Sequence, residues 1–434
     1  MFPAVVWIAL AVQGMTGTPF REVLSIVEAL TDSAPAGLRS ESAWKEWSAR
    51  RAREIRTRMV QGGEDSLANL LLLGTSFTQQ PRVTGDLDAN RGVVQARISD
   101  FSRAIAQPSL NERMLFMRRL LEARGYAVND PRLQQYLRDN VKRVAQENTV
   151  TSRELQSILR LRSSTRQFAE RSTIFRDRGL SVEASLPPNL AIEESLEEMK
   201  ARGLLALGSV RRVAVLGPGL DFIDKNEGYD FYPPQTLQPF ALIDSLLRLG
   251  LSKAGEVELA TLDISPRVLQ HLALARSKAE RSFGYVVELP RDPRERWKPA
   301  TIDYWQRFGD HIGSEAKPTA LPQGMKLETR AVRIRPSVVL ALRPVEMNII
   351  LQRAEPSPAF DLVVATNVFV YYDTFEQCLA LRNVQEMLRP GGFLLTNNAL
   401  LILPSSAMRS LDSKSTAYSA KPDDGDKVVW YRKD

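Results

Sequence analysis

Cysteine and histidine are almost missing from this chain of 434 residues: Cys378 stands alone, and His271 and His311 are the only imidazoles. A single cysteine excludes a disulfide framework, and together with two histidines it leaves too few ligands for a structural zinc site; no metal is expected. The same scarcity removes a Cys–His nucleophile pair and fits a reducing, cytoplasmic setting. A spanning apolar run is missing as well. Residues 1–20 carry no charge and include AVVWIALAV, but the apolar part is shorter than the ~20 residues of a membrane-crossing helix. The start also lacks the basic residues of a secretory leader. A buried terminal helix, a signal and a membrane anchor are the alternatives for this segment.

Charge of one sign is scarce over most of the chain: 58 basic residues face 51 acidic ones, a balance of +7. The surplus is concentrated between Phe101 and Arg178, where about sixteen bases, nearly all arginine, meet about eight acids. That stretch is either a solvated, salt-bridged helical surface or a face for an acidic partner. Aromatic residues are not interleaved with it and no RNA-binding module is recognisable, so nucleic acid is the weaker reading. A protein partner for the helices is retained.

What is present is ordinary for a soluble protein: 44% apolar and 25% charged residues, with length for two or three domains. SAWKEWSARRAREIRTRMV and NERMLFMRRLLEARG place apolar residues at three- and four-residue spacing, and DPRLQQYLRDNVKRVAQ opens on a capping Asp130 and Pro131. Residues 21–170 therefore read as a helical domain. Residues 171–205 read as a connector ending at Pro187-Pro188, followed by the helix AIEESLEEMKARGLLAL.

From residue 206 to 434 short apolar runs alternate with helical patterns. The runs are RRVAVLG, VELATLDI, YVVEL, EMNIILQ, FDLVVATNV and FLLTNNALLIL, with RPGG as the turn before the last. Unbroken apolar strands between helices predict an α/β fold, a mostly parallel Rossmann-like sheet covered on both faces. Ligands of such sheets lie at the carboxyl ends of the strands. Residues 281–344 break the alternation with several prolines, IDYWQRF and the paired β-like runs TRAVRIRP and SVVLALRP. They read as an inserted, substrate-side subdomain.

VAVLGPGLDF, from Val213 to Phe222, ends a strand in two glycines. A dinucleotide loop would place a third small residue where Phe222 stands, and a Walker loop would end in Gly-Lys-Ser/Thr. On the next strand Asp263 stands at the carboxyl end, where a carboxylate can accept both hydroxyl hydrogens of a ribose; its other reading is a cap for the helix at Pro266. The pair of features points to an adenosine ligand without requiring phosphate, and S-adenosylmethionine is the natural candidate.

FDLVVATNVFVYYD followed by LRPGGFLLTNN resembles class I methyltransferases, and among them the CheR-type chemotaxis receptor methyltransferases. VEMNIIL resembles that family's Asn-Leu segment and RSTIFRD its T-x-FFRD segment, so the likeness covers roughly residues 172–398. It departs where about fifteen residues separate the glycine loop from Gln238-Pro239-Phe240, and where Ala365-Thr366 stands for Cys-Arg. The resemblance implies methyl transfer from S-adenosylmethionine to an acceptor, a carboxylate of a protein or a small molecule in the nearest chemistry. It implies that Arg176 orients an anionic substrate and that Tyr371 points its hydroxyl at the reacting methyl. For the cofactor it implies Gly217, Pro218, Gly219, Leu220, Gln238, Asp263, Ile264, Asn348, Ile349, Asn367 and Val368, with Asp221 or Asp224 able to supply the charge that Gln238 lacks. A non-catalytic cofactor-binding module and an RNA methyltransferase are the other readings.

Overall fold

The computed structural model describes residues 14–30, 33–109, 111–159, 170, 174–175, 178–223, 229–355, 357, 359–421 and 424–434. Its centre is a seven-stranded sheet. In chain order the strands are β2 (Arg212–Leu216), β3 (Glu258–Asp263), β7 (Leu342–Glu346), β9 (Phe360–Ala365), β10 (Leu388–Thr396), β11 (Met408–Ala417) and β12 (Gly425–Lys433). Their order across the sheet is β11-β12-β10-β9-β2-β3-β7, parallel from β7 to β10 and antiparallel at β12 and β11. The chain leaves β2 toward β3 and β7 on one side, then returns to β9 and β10 on the other. This reversal opens a crevice beyond the carboxyl ends of β2 and β9.

The apolar runs are unbroken because the sheet is buried on both faces. Val213 and Val215 point into one core with Leu259, Leu362 and Val364, covered by α6 (Pro187–Ala201), α7 (Gln238–Arg248) and α8 (Pro266–Glu280). Ala214 and Leu216 point into the other with Ala260, Leu262 and Val363. That face is covered by α1 (Phe20–Ala29), the first half of α2 (Glu41–Leu73) and α11 (Thr374–Met387). The rest of α2 forms a third core with α3 (Arg91–Ala106), α4 (Glu112–Ala123) and α5 (Leu133–Leu159). Phe222 and Ile223, from the loop after the glycines, are inserted in that bundle and fully buried.

Arg113 fixes this insertion. Its guanidinium donates to the carbonyl oxygens of Phe222, Asp230 and Tyr232, while the Asp230 carboxylate accepts from the backbone N–H groups of Thr75 and Ser76. Other bases of the arginine-rich stretch are answered by acids: Arg118 by Glu122, Arg124 by Glu64, and Arg143 by Asp65 and Glu147.

Several local expectations change. YVVEL is β4 (Tyr285–Arg291), which lies outside the central sheet and pairs with β6 (Glu328–Ile334); β5 (Gly313–Ala316) completes a separate three-stranded sheet. SVVLALRP is not a strand paired with TRAVRIRP. Pro336 starts the short helix α10 (Pro336–Ala341), because its ring suits a first helical position, and β7 follows at once. IDYWQRF does fall in a helix, α9 (Pro299–Arg307). EMNIILQ is a turn between β7 and β8 (Gln352–Glu355), apolar because Met347, Ile349 and Ile350 are buried there. RPGG lies inside β10 as a register shift between Leu388 and Phe393. The connector prolines Pro187 and Pro188 open α6, and α5 starts at Leu133, with Asp130 accepting from the Arg132 N–H. Of residues 1–20, 1–13 lie outside the described residues; β1 (Gly14–Gly17) pairs antiparallel with β8. No described helix is long and apolar enough to cross a membrane.

Residues 178–186 run as a strap from α2 to α6. The Leu180 N–H donates to the Arg58 carbonyl (2.9 Å), and a Cβ on Gly62 would fall inside the Leu180 carbonyl group. Gly62→Ala is therefore expected to displace the strap and to cost about 1–3 kcal/mol through overpacking. Denaturant unfolding checks this; a stability equal to wild type refutes the close approach.

Candidate functional site

A cavity of about 390 Å³ occupies the crevice. The end of β2 supplies Gly217, Pro218 and Gly219, and the start of α7 supplies Gln238. The end of β3 supplies Asp263, followed by Ile264, and beyond β7 comes Ile349. The end of β9 adds Thr366, Asn367 and Val368, with Tyr371 and Tyr372 in the following turn. Residues Leu180 to Ser185 of the strap close one side, and Asn397, Asn398 and Asp426 another.

Both glycines of the loop have left-handed backbone, φ 61° at Gly217 and 72° at Gly219, which a side chain resists. Their bare sides are already used by the protein. A Cβ on Gly217 would lie 2.9 Å from Val368 Cγ2, and one on Gly219 would lie 2.8 Å from Ala184 Cβ. Two of the loop's N–H groups are also spent: Gly217 donates to the Leu262 carbonyl at 2.9 Å and Leu220 to the Val182 carbonyl at 2.6 Å. The loop is thus shaped for close packing of strap and strand.

Asp263 ends β3 with only 8% of its surface exposed. Its Oδ1 accepts from the Ser265 N–H at 2.7 Å, a turn bond at the mouth of α8. Burial outweighs that bond and the one from Ile264, and pushes the carboxyl up to about 7. Gln238 gives its Nε2 to Thr366 Oγ1 at 2.6 Å, so its amide oxygen is the atom left for another donor. Asn367 sits at φ 56°, held by a two-way exchange with Asn397: its N–H donates to Asn397 Oδ1 (2.9 Å), and Asn397 Nδ2 donates to Asn367 Oδ1 (2.6 Å). Asn397 Nδ2 also reaches Asp426 Oδ1 at 3.3 Å.

Tyr371 is half-buried, with its ring at a T-shaped angle to Phe175. Arg58, on α2, holds both. Its guanidinium donates to the carbonyl oxygens of Tyr371 (3.0 Å), Phe175 (2.9 Å) and Arg178 (3.0 Å). Burial lowers its affinity for a proton. About two turns away on the same helix, Arg51 pairs with Glu376 at the capping box of α11, 3.0 Å for Nη2–Oε2. These two side chains lock the turn carrying Tyr371 to α2.

Two predicted residues, Leu220 and Asn348, stand apart. Leu220 is fully buried in the core beneath the loop and does not line the cavity, because the chain must turn inward there to deliver Phe222 to the helical bundle. Asn348 does not line it either; its Oδ1 accepts from the Ile350 N–H at 3.3 Å, closing its own turn. Arg176 and Asp224 lie outside the described residues. Sequence reasoning missed Glu183, whose carboxylate accepts from Ser66 Oγ and from the N–H groups of Phe222 and Ile223. It also missed Asn397 and Asp426. The first follows a parallel strand directly, a position that could have marked it; the strap contacts carry no local signal.

No family model and no curated protein matches the sequence. Among solved structures the chain is similar to the N-methyltransferase NodS from Bradyrhizobium japonicum WM9 in complex with S-adenosyl-L-homocysteine. Identity there is 14% over 55% of this chain and 86% of that one, with a TM-score of 0.28. It is similar to a TehB-like SAM-dependent methyltransferase from Corynebacterium glutamicum ATCC 13032, at 10% identity over 57% and 98% with a TM-score of 0.22. It is also similar to MtNAS in complex with MTA and tNA, at 8% over 81% and 90% with a TM-score of 0.26. At such TM-scores the fold rests on the strand order given above and on nothing borrowed from these proteins.

Asp263 gives a signed stability prediction. Its folded value lies above the ordinary 3.8, so its contribution is complete below about pH 4 and is lost as pH rises through about 7. In the ligand-free protein, denaturation midpoints should fall across that window, and Asp263→Asn should flatten the slope. An unchanged pH profile in the variant would place the buried charge elsewhere.

Proposed function

We propose that the protein is an S-adenosylmethionine-dependent methyltransferase. The observation that carries this reading is Asp263, a buried carboxylate at the carboxyl end of β3, beside the Gly217–Gly219 loop where the strand order reverses. Carboxylates at that position hold ribose hydroxyls in sheets of this topology. The cavity's volume lies within the ~300–1,000 Å³ of small-ligand sites, and its donor set fits the cofactor. Asp263 would face a ribose, the amide oxygen of Gln238 would accept from an ammonium, and Leu262, Ile264 and Ile349 would give an apolar slot for a purine. When bound, the cofactor supplies an electrophilic methyl group with a good leaving group.

The protein's part is then alignment in a space shielded from water. The strap and the Arg58 clamp hold Tyr371 and Phe175 at the mouth, and the Asn367–Asn397 exchange holds the opposite wall. The finer reading drawn from the CheR-type likeness, methylation of a carboxylate, needs a cation near the acceptor. The described lining has the acids Glu183, Asp263 and Asp426 and no lysine or arginine, so that reading rests on Arg176 alone.

Calorimetry with S-adenosylmethionine on wild type and Asp263→Ala tests the assignment, the variant losing about tenfold or more in affinity. Hydroxyl donors favour the ionised carboxylate. Wild-type affinity should therefore rise with pH up to about 7 and level off above it, while Asp263→Asn should show no such rise. Equal binding by wild type and Asp263→Ala would remove Asp263 from the site and with it the observation that carries this reading.

A further inference from the structure

A second cavity, of about 710 Å³, lies across the strap from the first and shares Ala184 and Ser185 with it. Its other walls come from the segments that interrupt the strand–helix alternation. These are Tyr229 to Leu237 after the glycine loop, Glu288 to Trp297 around the end of β4, and Tyr418, Lys421 and Asp424 of the turn between β11 and β12. That turn is stitched to the small sheet's flank: the Lys298 N–H donates to the Tyr418 carbonyl at 2.8 Å, and the Ala420 N–H to the Arg296 carbonyl at 3.0 Å.

The walls are acidic and aromatic. Asp221, Glu288, Asp292, Glu295 and Asp424 line the space against Arg291 and Lys421. Arg291 pairs with Glu328 outside the lining, Lys421 with Glu295 inside it, each at 2.9 Å, and Asp292 pairs with Arg294; Asp221 accepts from the Tyr232 hydroxyl and Glu288 from Thr319, both neutral donors that leave the carboxylate charge in place. Asp221 and Glu288 are each less than a tenth exposed, where charge is weakly screened. Tyr229, Tyr232, Trp297 and Tyr418 add ring faces. Such a lining attracts a cation and repels a carboxylate. The two cavities are also joined by a hydrogen bond: Tyr418, on the second, donates to Asp426 Oδ2 at 2.8 Å, and Asp426 lines the first.

Resting on the methyltransferase reading, we propose that the second cavity is the acceptor subsite and takes a small aliphatic amine with at least two amino groups. One amino group stays protonated among the acids and rings. The other, neutral, passes Ala184 and Ser185 into the first cavity. There its nitrogen lone pair forms an N–C bond to the donor methyl as the methyl's C–S bond breaks, with the electron pair going to sulfur. The sulfonium becomes a thioether, and the new ammonium releases its proton to water.

The test uses the full chain. S-Adenosylhomocysteine is titrated first, then putrescine, spermidine and glutarate into separate samples, on wild type, Asp292→Asn and Glu288→Gln/Asp292→Asn. Asp292 pairs with Arg294, whose side chain is 85% exposed, so the single variant strands no buried base if the double variant fails to fold. Spermidine or putrescine should bind wild type, and binding should fall about tenfold or more in the variants, with S-adenosylhomocysteine affinity unchanged. Methyl label from S-adenosylmethionine should enter the amine. The subsite is overturned if the amines bind no better than glutarate, if the variants bind them as wild type does, or if bound amine takes no label while the cofactor binds. Failure of S-adenosylhomocysteine to bind instead overturns the cofactor reading, and the amine titrations then still decide what the second cavity holds.

Discussion

One guanidinium holds the mouth of the crevice together. Arg58 reaches from α2 to three carbonyl oxygens, those of Phe175 ahead of the strap, of Arg178 at its first residue and of Tyr371 on the turn after β9. No carboxylate bonds to it among these contacts, so its buried charge is solvated by peptide dipoles. Such a charge is costly to strip of its partners, because each carbonyl lost leaves a buried cation less well solvated. The helix that covers one face of the sheet thereby also sets where the aromatic residues of the site stand. Arg113 repeats the device on the inserted loop, where its carbonyl partners hold Phe222 inside the helical bundle. Part of the arginine excess is therefore internal scaffolding.

The parallel strands were legible because burial on both faces writes an unbroken apolar run, and Asp263 was legible because a strand's carboxyl end is where such sheets present their chemistry. The same rule misled at SVVLALRP and EMNIILQ. Both runs are apolar and β-branched, but one directly follows a proline suited to a helix start and the other is buried as a turn. Composition cannot separate a buried turn from a buried strand. The strap could not be read at all: its partners Arg58, Gly62 and Ser66 lie more than a hundred residues away, and much of the contact is backbone to backbone.

The glycine loop shows how a correct location can carry an incomplete reason. Gly217 and Gly219 do lie at the crevice, yet Val368 and Ala184 fill the space that absent side chains leave, and neighbouring carbonyls take two of the loop's N–H groups. The crevice owes its emptiness to the reversal of strand order. The glycines let the strap cross close above it, so that one wall is shared by the two cavities.

Phe222 and Ile223 also bear on how the chain can be cut. A fragment beginning at the strap would keep every strand of the main sheet, but it would carry two bare hydrophobic side chains on a tether whose anchoring guanidinium had been discarded. The portion bearing the glycines and the portion bearing α2 to α5 are thus expected to melt together, and a shorter folded fragment is to be sought by trimming elsewhere.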